Sequence, residues 1–328
     1  MNDIDFVIPW VDGNDSDWQA QLKKYSLNPE LEDARFERYR DWDNLHFWFR
    51  GVETFAPWVR KIHFITHGHL PDWLNIAHPK INIVRHEDYI PAEYLPVFSS
   101  HPIELFINSI EGLSDKFVYF NDDTFLINSV KESDFFMHGI PCDIAAMNAI
   151  SPGGIAHILL NNLEVISSHF NKRAVIKSHL YKWFNIKTIS KSLRTLALMP
   201  WPGFTGFYDP HTAQPYLKST LDTVWQVERE TLLKTAKSRF RSNTDVNAYL
   251  FRYWHLCTGQ FNQCNREKFS EFFVLHDDNI DKICEHLISQ KSKVITLNDN
   301  TNLDFDKLKS QLTASFNMLL SEKSSFEK

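Results

Sequence analysis

The sequence predicts an α/β fold, a Rossmann-like and largely parallel sheet flanked by helices, with a helical insertion. Three observations carry this. Short apolar runs alternate with longer stretches whose apolar residues recur at helical spacing. Several of the short runs stop at Asp, Asn or Gly, as strands do on entering a loop. One central segment breaks the alternation in both charge and composition.

The elements follow in chain order. Ile4 to Trp10 is too brief for a helix and is closed by Asp12-Gly13, so it reads as a buried first strand. Ser16 caps a helix that carries Trp18 to Tyr25. Leu45, Trp48, Phe49, Val52 and Phe55 share one face of a helix over 42–55, and Pro57 marks its end. Lys61 to Thr66 and Ile81 to Val84 are the second and third strands. Ser99-Ser100-His101-Pro102 opens a helix that runs to Ile110, with the proline in the first turn, where its missing N–H is harmless. Phe117 to Phe120 is a fourth strand and ends in Asn121-Asp122-Asp123. Helices resume after Pro210, one of them capped by Ser242-Asn-Thr-Asp245 and reaching about His255. A last strand, Lys293 to Leu297, ends in Asn298-Asp299, and a terminal helix runs from Asp304 to about Leu320.

The central segment sets the domain organisation: 1–150 as the first half of a catalytic domain, 151–208 as a basic helical insertion, 209–328 as the second half. From Val165 to Tyr208 there is no Asp or Glu, but there are seven bases: Lys172, Arg173, Lys177, Lys182, Lys187, Lys191 and Arg194. Tyr181, Trp183 and Phe184 interleave with them. The plain reading is a solvated helix face. The sharper one is peripheral contact of 165–208 with an anionic membrane or a phosphorylated acceptor, since each base near an anionic surface is worth ~1 kcal/mol.

Composition removes other classes. At 328 residues the chain is long enough to bury a sizeable core without disulfides or metal. Only 10 residues are glycine, and neither G-x-G-x-x-G nor G-x-x-x-x-G-K-[ST] occurs, which argues against dinucleotide and Walker-type phosphate cradles. A net charge of −6 argues against nucleic-acid binding through a global basic field. Cys142, Cys257, Cys264 and Cys284 form no CxxC pair and read as reduced thiols. The opening MNDIDFVIPWVDG has no basic n-region, and no apolar run is long enough to span a bilayer. The expectation is a soluble, cytoplasmic protein.

Chemistry concentrates at three strand ends: Asp12 to Asp15, Asn121-Asp122-Asp123, and Asn298-Asp299. In open α/β sheets ligands bind beyond the carboxyl ends of the strands, so the three clusters are expected to share a site. Their oxygens suit Mg²⁺ or Mn²⁺, hard cations often shared with substrate phosphates. Arg239 and Arg241 would share a face in an extended segment and form a guanidinium pair for phosphate oxygens. His211, just after Pro210, is a candidate general base. His67-Gly-His69 has the spacing of a zinc motif, but no further ligand stands at informative spacing, and a turn is the default.

Taken together, these segments resemble the Stealth family of hexose-1-phosphate transferases, which includes bacterial capsular polysaccharide phosphotransferases and the catalytic subunit of the lysosomal N-acetylglucosamine-1-phosphotransferase. The first conserved region looks like IDFVIPWVDGND, residues 4–15. The second runs from Arg38 through RKIHFIT, LPDWL, FSSHPIE and LSDKFVYFNDD. The third resembles DPHTAQP at 209–215 with SRFRSNTD at 238–245, and the fourth KVITLNDN at 293–300. Asn44-Leu-His46 departs from the pattern, which has an acidic and then a basic residue there.

The resemblance implies a glycosyltransferase-A-like fold and a bacterial enzyme of capsule or cell-surface polysaccharide synthesis, working at the inner face of the membrane. It would move a sugar with its β-phosphate from a UDP-sugar, UDP-N-acetylglucosamine being the leading donor, to a hydroxyl on a glycan or lipid-linked oligosaccharide. UMP would leave. On this reading His211, Asp123, Arg241 and Arg239 are catalytic; Asp122, Asp123, Asn298 and Asp299 hold Mg²⁺ or Mn²⁺. Asp12, Asp15, Arg40, Arg50, Ser100, His101, Asn121 and Asp245 bind substrate. Two other functions compete: a nucleotide-sugar glycosyltransferase that attacks the anomeric carbon and releases UDP, and a non-catalytic carbohydrate-binding protein using its 10 Trp and 10 Tyr as stacking faces.

Overall fold

The computed structural model describes residues 3–26, 39–265 and 269–328. Arg38, which opens the second conserved block, lies outside the described residues. The strands are β1 (Ile4–Trp10), β2 (Ile62–Thr66), β3 (Ile81–Arg85), β4 (Lys116–Tyr119), β5 (Thr124–Leu126), β6 (Phe136–Met137), β7 (Ile140–Asp143), β8 (Gln214–Leu217), β9 (Asn262–Gln263), β10 (Ser270–Val274) and β11 (Val294–Asn298).

The main sheet has the order β3-β2-β1-β4-β8. Its first four strands are mutually parallel and β8 is an antiparallel edge. Strand β1 is buried on both faces. Ile4, Phe6 and Ile8 enter one core with Phe47, Trp48 and Val52, while Val7 enters the other with Phe117 and Tyr119. That explains its unbroken apolar run, since a strand covered by helices on both sides has no solvated face to mark. The chain runs outward from β1 through β2 to β3, then returns to place β4 on the other side of β1. The crevice beyond the carboxyl ends of β1 and β4 is therefore the switch point at which such sheets bind ligands.

A second sheet, β10-β11-β5, packs on the same core. Strand β11 is antiparallel to β5, with Thr296 opposite Thr124, so its carboxyl end reaches the turn between β4 and β5. The Leu297 N–H donates to the Asp123 carbonyl at 2.9 Å. This pairing brings Asn298 and Asp299 to Asp122 and Asp123. Gly51 lets β5 in: a Cβ there would lie 2.8 Å from the Leu126 carbonyl oxygen.

Several expectations change at their ends. Asp15, not Ser16, caps the first helix, its carboxylate accepting from the Trp18 N–H at 2.7 Å. The helix expected over 42–55 spans Leu45–Phe55, because Trp42 turns its indole N–H to Asp299. The helix opening at Ser99 stops at Leu105, whose carbonyl accepts from the Trp225 indole, and a 3₁₀ turn follows at Ile107–Ser109. Ser242 to Asp245 closes a turn on itself and does not cap a helix; that helix is Tyr249–Thr258. Strands β5 to β10 have no counterpart in the sequence reading. Each is two to five residues long, and β8 carries Pro215, which demotes a strand pattern.

The basic segment is helical, as expected, over Ala156–His169, Lys172–Ser178, Leu180–Trp183 and Ile189–Leu198. Its charges are not one solvated face. Lys172 is buried and its ammonium donates to the carbonyls of Leu198 and Met199, both at 3.1 Å, and of Trp201. Lys182 donates to the carbonyls of Gly259 and Phe261. Lys191 lies over the Tyr208 ring, and Arg194 donates to Asn148. Burial lowers the pKa of Lys172 and of Lys182.

Candidate active site

A cavity of about 790 Å³ opens at the switch point, within the range of small-ligand sites. Trp10 from the end of β1, Asn121 to Asp123 from the end of β4, and Asn298 and Asp299 from the end of β11 line it together. His211, Arg241, Ser100, His101 and Arg40 line it as well. The three strand-end clusters thus meet, although the first contributes Trp10 and Val11 to the wall and not its carboxylates.

Asp122 and Asp123 sit in the turn that joins β4 to β5, not in an extended strand end. Desolvation in the recess and the charge of Asp123 push the Asp122 carboxyl up to about 7. Desolvation also takes Asp123 up to about 6, against the hydrogen bond from Thr124 at 3.0 Å. Among the described residues, no Lys or Arg forms an ion pair with either carboxylate. Two adjacent, desolvated carboxylates with no Lys or Arg paired to them among the described residues fit a divalent ion, and Asn298 lines the same cavity. Among the described residues, no group of three or more His, Cys, Asp or Glu is placed to hold a metal by itself. Substrate phosphate and water would complete the shell, as is usual for Mg²⁺. Asp299 is committed elsewhere: Arg40 grips it with two hydrogen bonds at 2.9 and 2.5 Å, and the Trp42 indole adds a third at 3.0 Å.

His211 stands across from the pair. Its Nε2 is 3.8 Å from Asp123 Oδ2 and 3.3 Å from the Asn121 amide nitrogen, and its ring packs on Phe272. An amide N–H aimed at Nε2 makes that atom an acceptor, and burial lowers the ring's pKa, which favours the neutral imidazole. Two anchors fix it. Its own carbonyl accepts from Thr296 at 3.1 Å. Two residues earlier Asp209 is held by Arg252 at 2.7 Å and the Tyr253 hydroxyl at 2.6 Å, with Arg252 also bound to buried Asp143.

The remaining candidates divide. Arg241 lines the cavity with Ser100 at 3.5 Å. Arg239 points away, over the Tyr25 ring and toward the Leu95 carbonyl, so the expected guanidinium pair is split. The intervening Phe240 is buried with Trp18 and Phe98. His101 Nδ1 is 2.9 Å from the buried Asp245 carboxylate, which also accepts from the Ser242 N–H. Asp245 therefore acts through His101. Asp12 receives the Asn14 N–H on its carboxylate, and its own N–H donates to His69 Nε2 at 2.8 Å, which uses up the atom a zinc would need. Asp15 is a helix cap. Arg50 is buried away from the cavity, bound twice to Glu327 at 2.8 Å and once to the Leu320 carbonyl.

Glu104 was missed. It is buried, lines the cavity one turn after His101, and accepts from the Ala248 N–H at 3.0 Å. Its position three residues after His101, on one helix face, is the signal that marks it. Tyr249 and Phe272 also line the cavity and carry no signal beyond aromaticity.

Residues 2–29 match the family description Stealth protein CR1, conserved region 1, and residues 38–142 match Stealth protein CR2, conserved region 2. A capsular polysaccharide phosphotransferase WcwK of Streptococcus pneumoniae is 40% identical over 335 residues, covering 100% of this chain and 99% of that protein. The exopolysaccharide phosphotransferase cps2G of Lactiplantibacillus plantarum is 38% identical over 330 residues, covering 99% and 96%. Among solved structures, a galactosyltransferase LgtC in complex with donor and acceptor sugar analogues aligns over 94% of this chain and 95% of that one, with 8% identity and a TM-score of 0.41.

Proposed function

This chain belongs to the Stealth family of polysaccharide phosphotransferases, and from that premise we propose that it moves an N-acetylhexosamine-1-phosphate from a UDP-sugar to a glycan hydroxyl in capsule or exopolysaccharide synthesis. The observation that carries the reading is the meeting of Asp122, Asp123, His211, Arg241 and Asn298 in one cavity, drawn from four separate parts of the chain.

The acceptor oxygen attacks the β-phosphorus. A new P–O bond forms, the bond from that phosphorus to the bridging oxygen breaks, and UMP leaves with the bridging oxygen. His211 Nε2 takes the proton of the attacking hydroxyl. Charge spreads over the phosphoryl oxygens in such a transition state, so catalysis rests on neutralisation and alignment. Arg241 supplies a fixed positive charge from the cavity wall. Asp122, Asp123 and Asn298 would hold a divalent cation, Mg²⁺ or Mn²⁺, which would supply charge neutralisation at the diphosphate. Arg40 holds Asp299 and the loop behind Asn298 in place, while Asn121 and Asp209 orient the base. Ser100 and His101, the latter set by Asp245, lie on the wall that would receive substrate. The acceptor is a glycan, free or lipid-linked. Arg239, Asp12, Asp15 and Arg50 have no part in the reaction on this reading.

The test is the nucleotide product. Purified protein incubated with Mg²⁺, UDP-N-acetylglucosamine and a capsular glycan acceptor should release UMP, and His211→Ala and Asp123→Ala should abolish the release. UDP in place of UMP would make it a glycosyltransferase. Unchanged turnover in both variants would discard this site.

A further inference from the structure

We infer that the outer face of the basic segment is a docking surface for an anionic membrane. The helix Ile189–Leu198 buries Thr195 and turns Ile189, Leu193 and Leu196 outward, and Ile186 is exposed in the 3₁₀ turn Ile186–Thr188 just before it. These four side chains are 58% to 87% exposed, and the 4-3 spacing of the three in the helix places them on one face. Tyr181 and Trp201, exposed at 88% and 54%, flank the stripe in the chain. A patch of this kind on a surface helix marks an interaction site.

Charge identifies the partner. Lys187 stands inside the stripe, between Ile186 and Ile189, and Arg173 and Lys177 are exposed one turn apart on the neighbouring helix Lys172–Ser178. No carboxylate occurs between Val165 and Tyr208 to offset them. Exposed apolar side chains with Lys187 among them in the chain, exposed bases on the neighbouring helix and exposed aromatics before and after are the composition of an interfacial surface on anionic lipid. A second copy of this chain fits less well, because a two-fold contact would bring each Lys187 toward its own equivalent. The bases turned inward tie the surface to the enzyme body: Lys172 joins its helix to the end of the stripe helix, and Lys182 anchors to Gly259 and Phe261. The segment also begins at the cavity rim, where Gly154 and Ile155 line the wall just before the helix Ala156–His169. A face docked on lipid would keep the cavity near an acceptor carried by lipid. In purpose this rests on the acceptor reading above; its test does not.

The test is vesicle flotation with the full chain and no donor present. Wild type should bind vesicles of phosphatidylcholine mixed with phosphatidylglycerol, and binding should weaken about tenfold or more as salt is raised or when phosphatidylglycerol is omitted. Ile189→Asp with Leu193→Asp should remove binding while melting temperature and transfer to a soluble acceptor stay unchanged, since both side chains are exposed. Lys187→Glu should weaken it and steepen its dependence on salt less than wild type. Three results would overturn the inference: no flotation at low salt, equal flotation with neutral vesicles, or a dimer in solution that Leu193→Asp dissociates. Release of UDP in the product assay would leave this surface standing, and failed flotation would leave the chemistry standing.

Discussion

His211 and Arg241 face the same cavity but lose different things when removed. His211→Ala should lower kcat by roughly 10²–10⁴, the usual range for a general base, with little change in donor KM. Arg241→Ala removes transition-state charge stabilisation and should cost about a hundredfold in kcat/KM. Arg241→Lys should recover only part of it, because an ammonium does not reproduce the guanidinium fork. Both are measured from initial rates of UMP release. Arg50 is the contrast. It is buried against Glu327, whose carboxyl it holds below the usual range despite burial, so Arg50→Ala should cost about 3 kcal/mol of stability in denaturant titrations. The donor KM of the folded fraction should not move. At this scale the sequence offers candidate residue types, but spacing does not disclose partners. Nothing near Arg50 announces a carboxylate 277 positions away, and nothing near Asp299 announces Arg40. The splitting of Arg239 from Arg241 has the same origin, since it depends on where Phe240 finds its aromatic neighbours.

Elements are held by contacts between distant segments, and β1 shows how. Asp5 is fully buried in that strand and accepts from Arg60 at 2.8 and 2.5 Å, from the Ser114 N–H at 2.8 Å, and lies 3.0 Å from His63 Nε2. Burial alone would raise its pKa, but the bonds from His63, Arg60 and Ser114 outweigh it and hold the carboxyl below its ordinary value. The native state therefore binds fewer protons than the unfolded chain near pH 4, so this contribution is present above about pH 4 and is lost as pH falls through the native pKa. Asp5→Asn should be less stable at neutral pH by about 2 kcal/mol. Its stability should also fall less steeply than wild type below pH 4. Parallel acid titration curves would contradict this. The long, well-punctuated elements were legible: β1, β2, β3, the Leu45–Phe55 helix and the terminal helix capped by Asp304. Of the second sheet only β11 was legible. Its partners β5 and β10 are short, and β5 is a strand through its pairing with Val294–Asn298, a contact no local pattern encodes.

At the scale of the molecule, the site exists only because the two sheets meet. Strand β4 delivers Asp122 and Asp123 and β11 delivers Asn298, and the link from β7 to β8 delivers His211. The convergence of strand ends was legible from the rule for α/β sheets, while the division of labour among them was not. In particular the carboxylates after β1 serve the turn and the helix cap. A cation that binds the folded chain alone stabilises it by mass action. Millimolar Mg²⁺ should accordingly raise the melting temperature of wild type, and leave that of Asp122→Asn with Asp123→Asn unmoved. An equal rise in both would place the cation elsewhere.

The central claim is that reaction occurs at phosphorus and not at the sugar's anomeric carbon. A UDP-sugar labelled at its β-phosphorus tests it directly. Incubated with enzyme, Mg²⁺ and glycan acceptor, the label should move into the glycan and resist phosphatase as an internal diester. Label retained in free nucleotide while sugar appears in the glycan would contradict it.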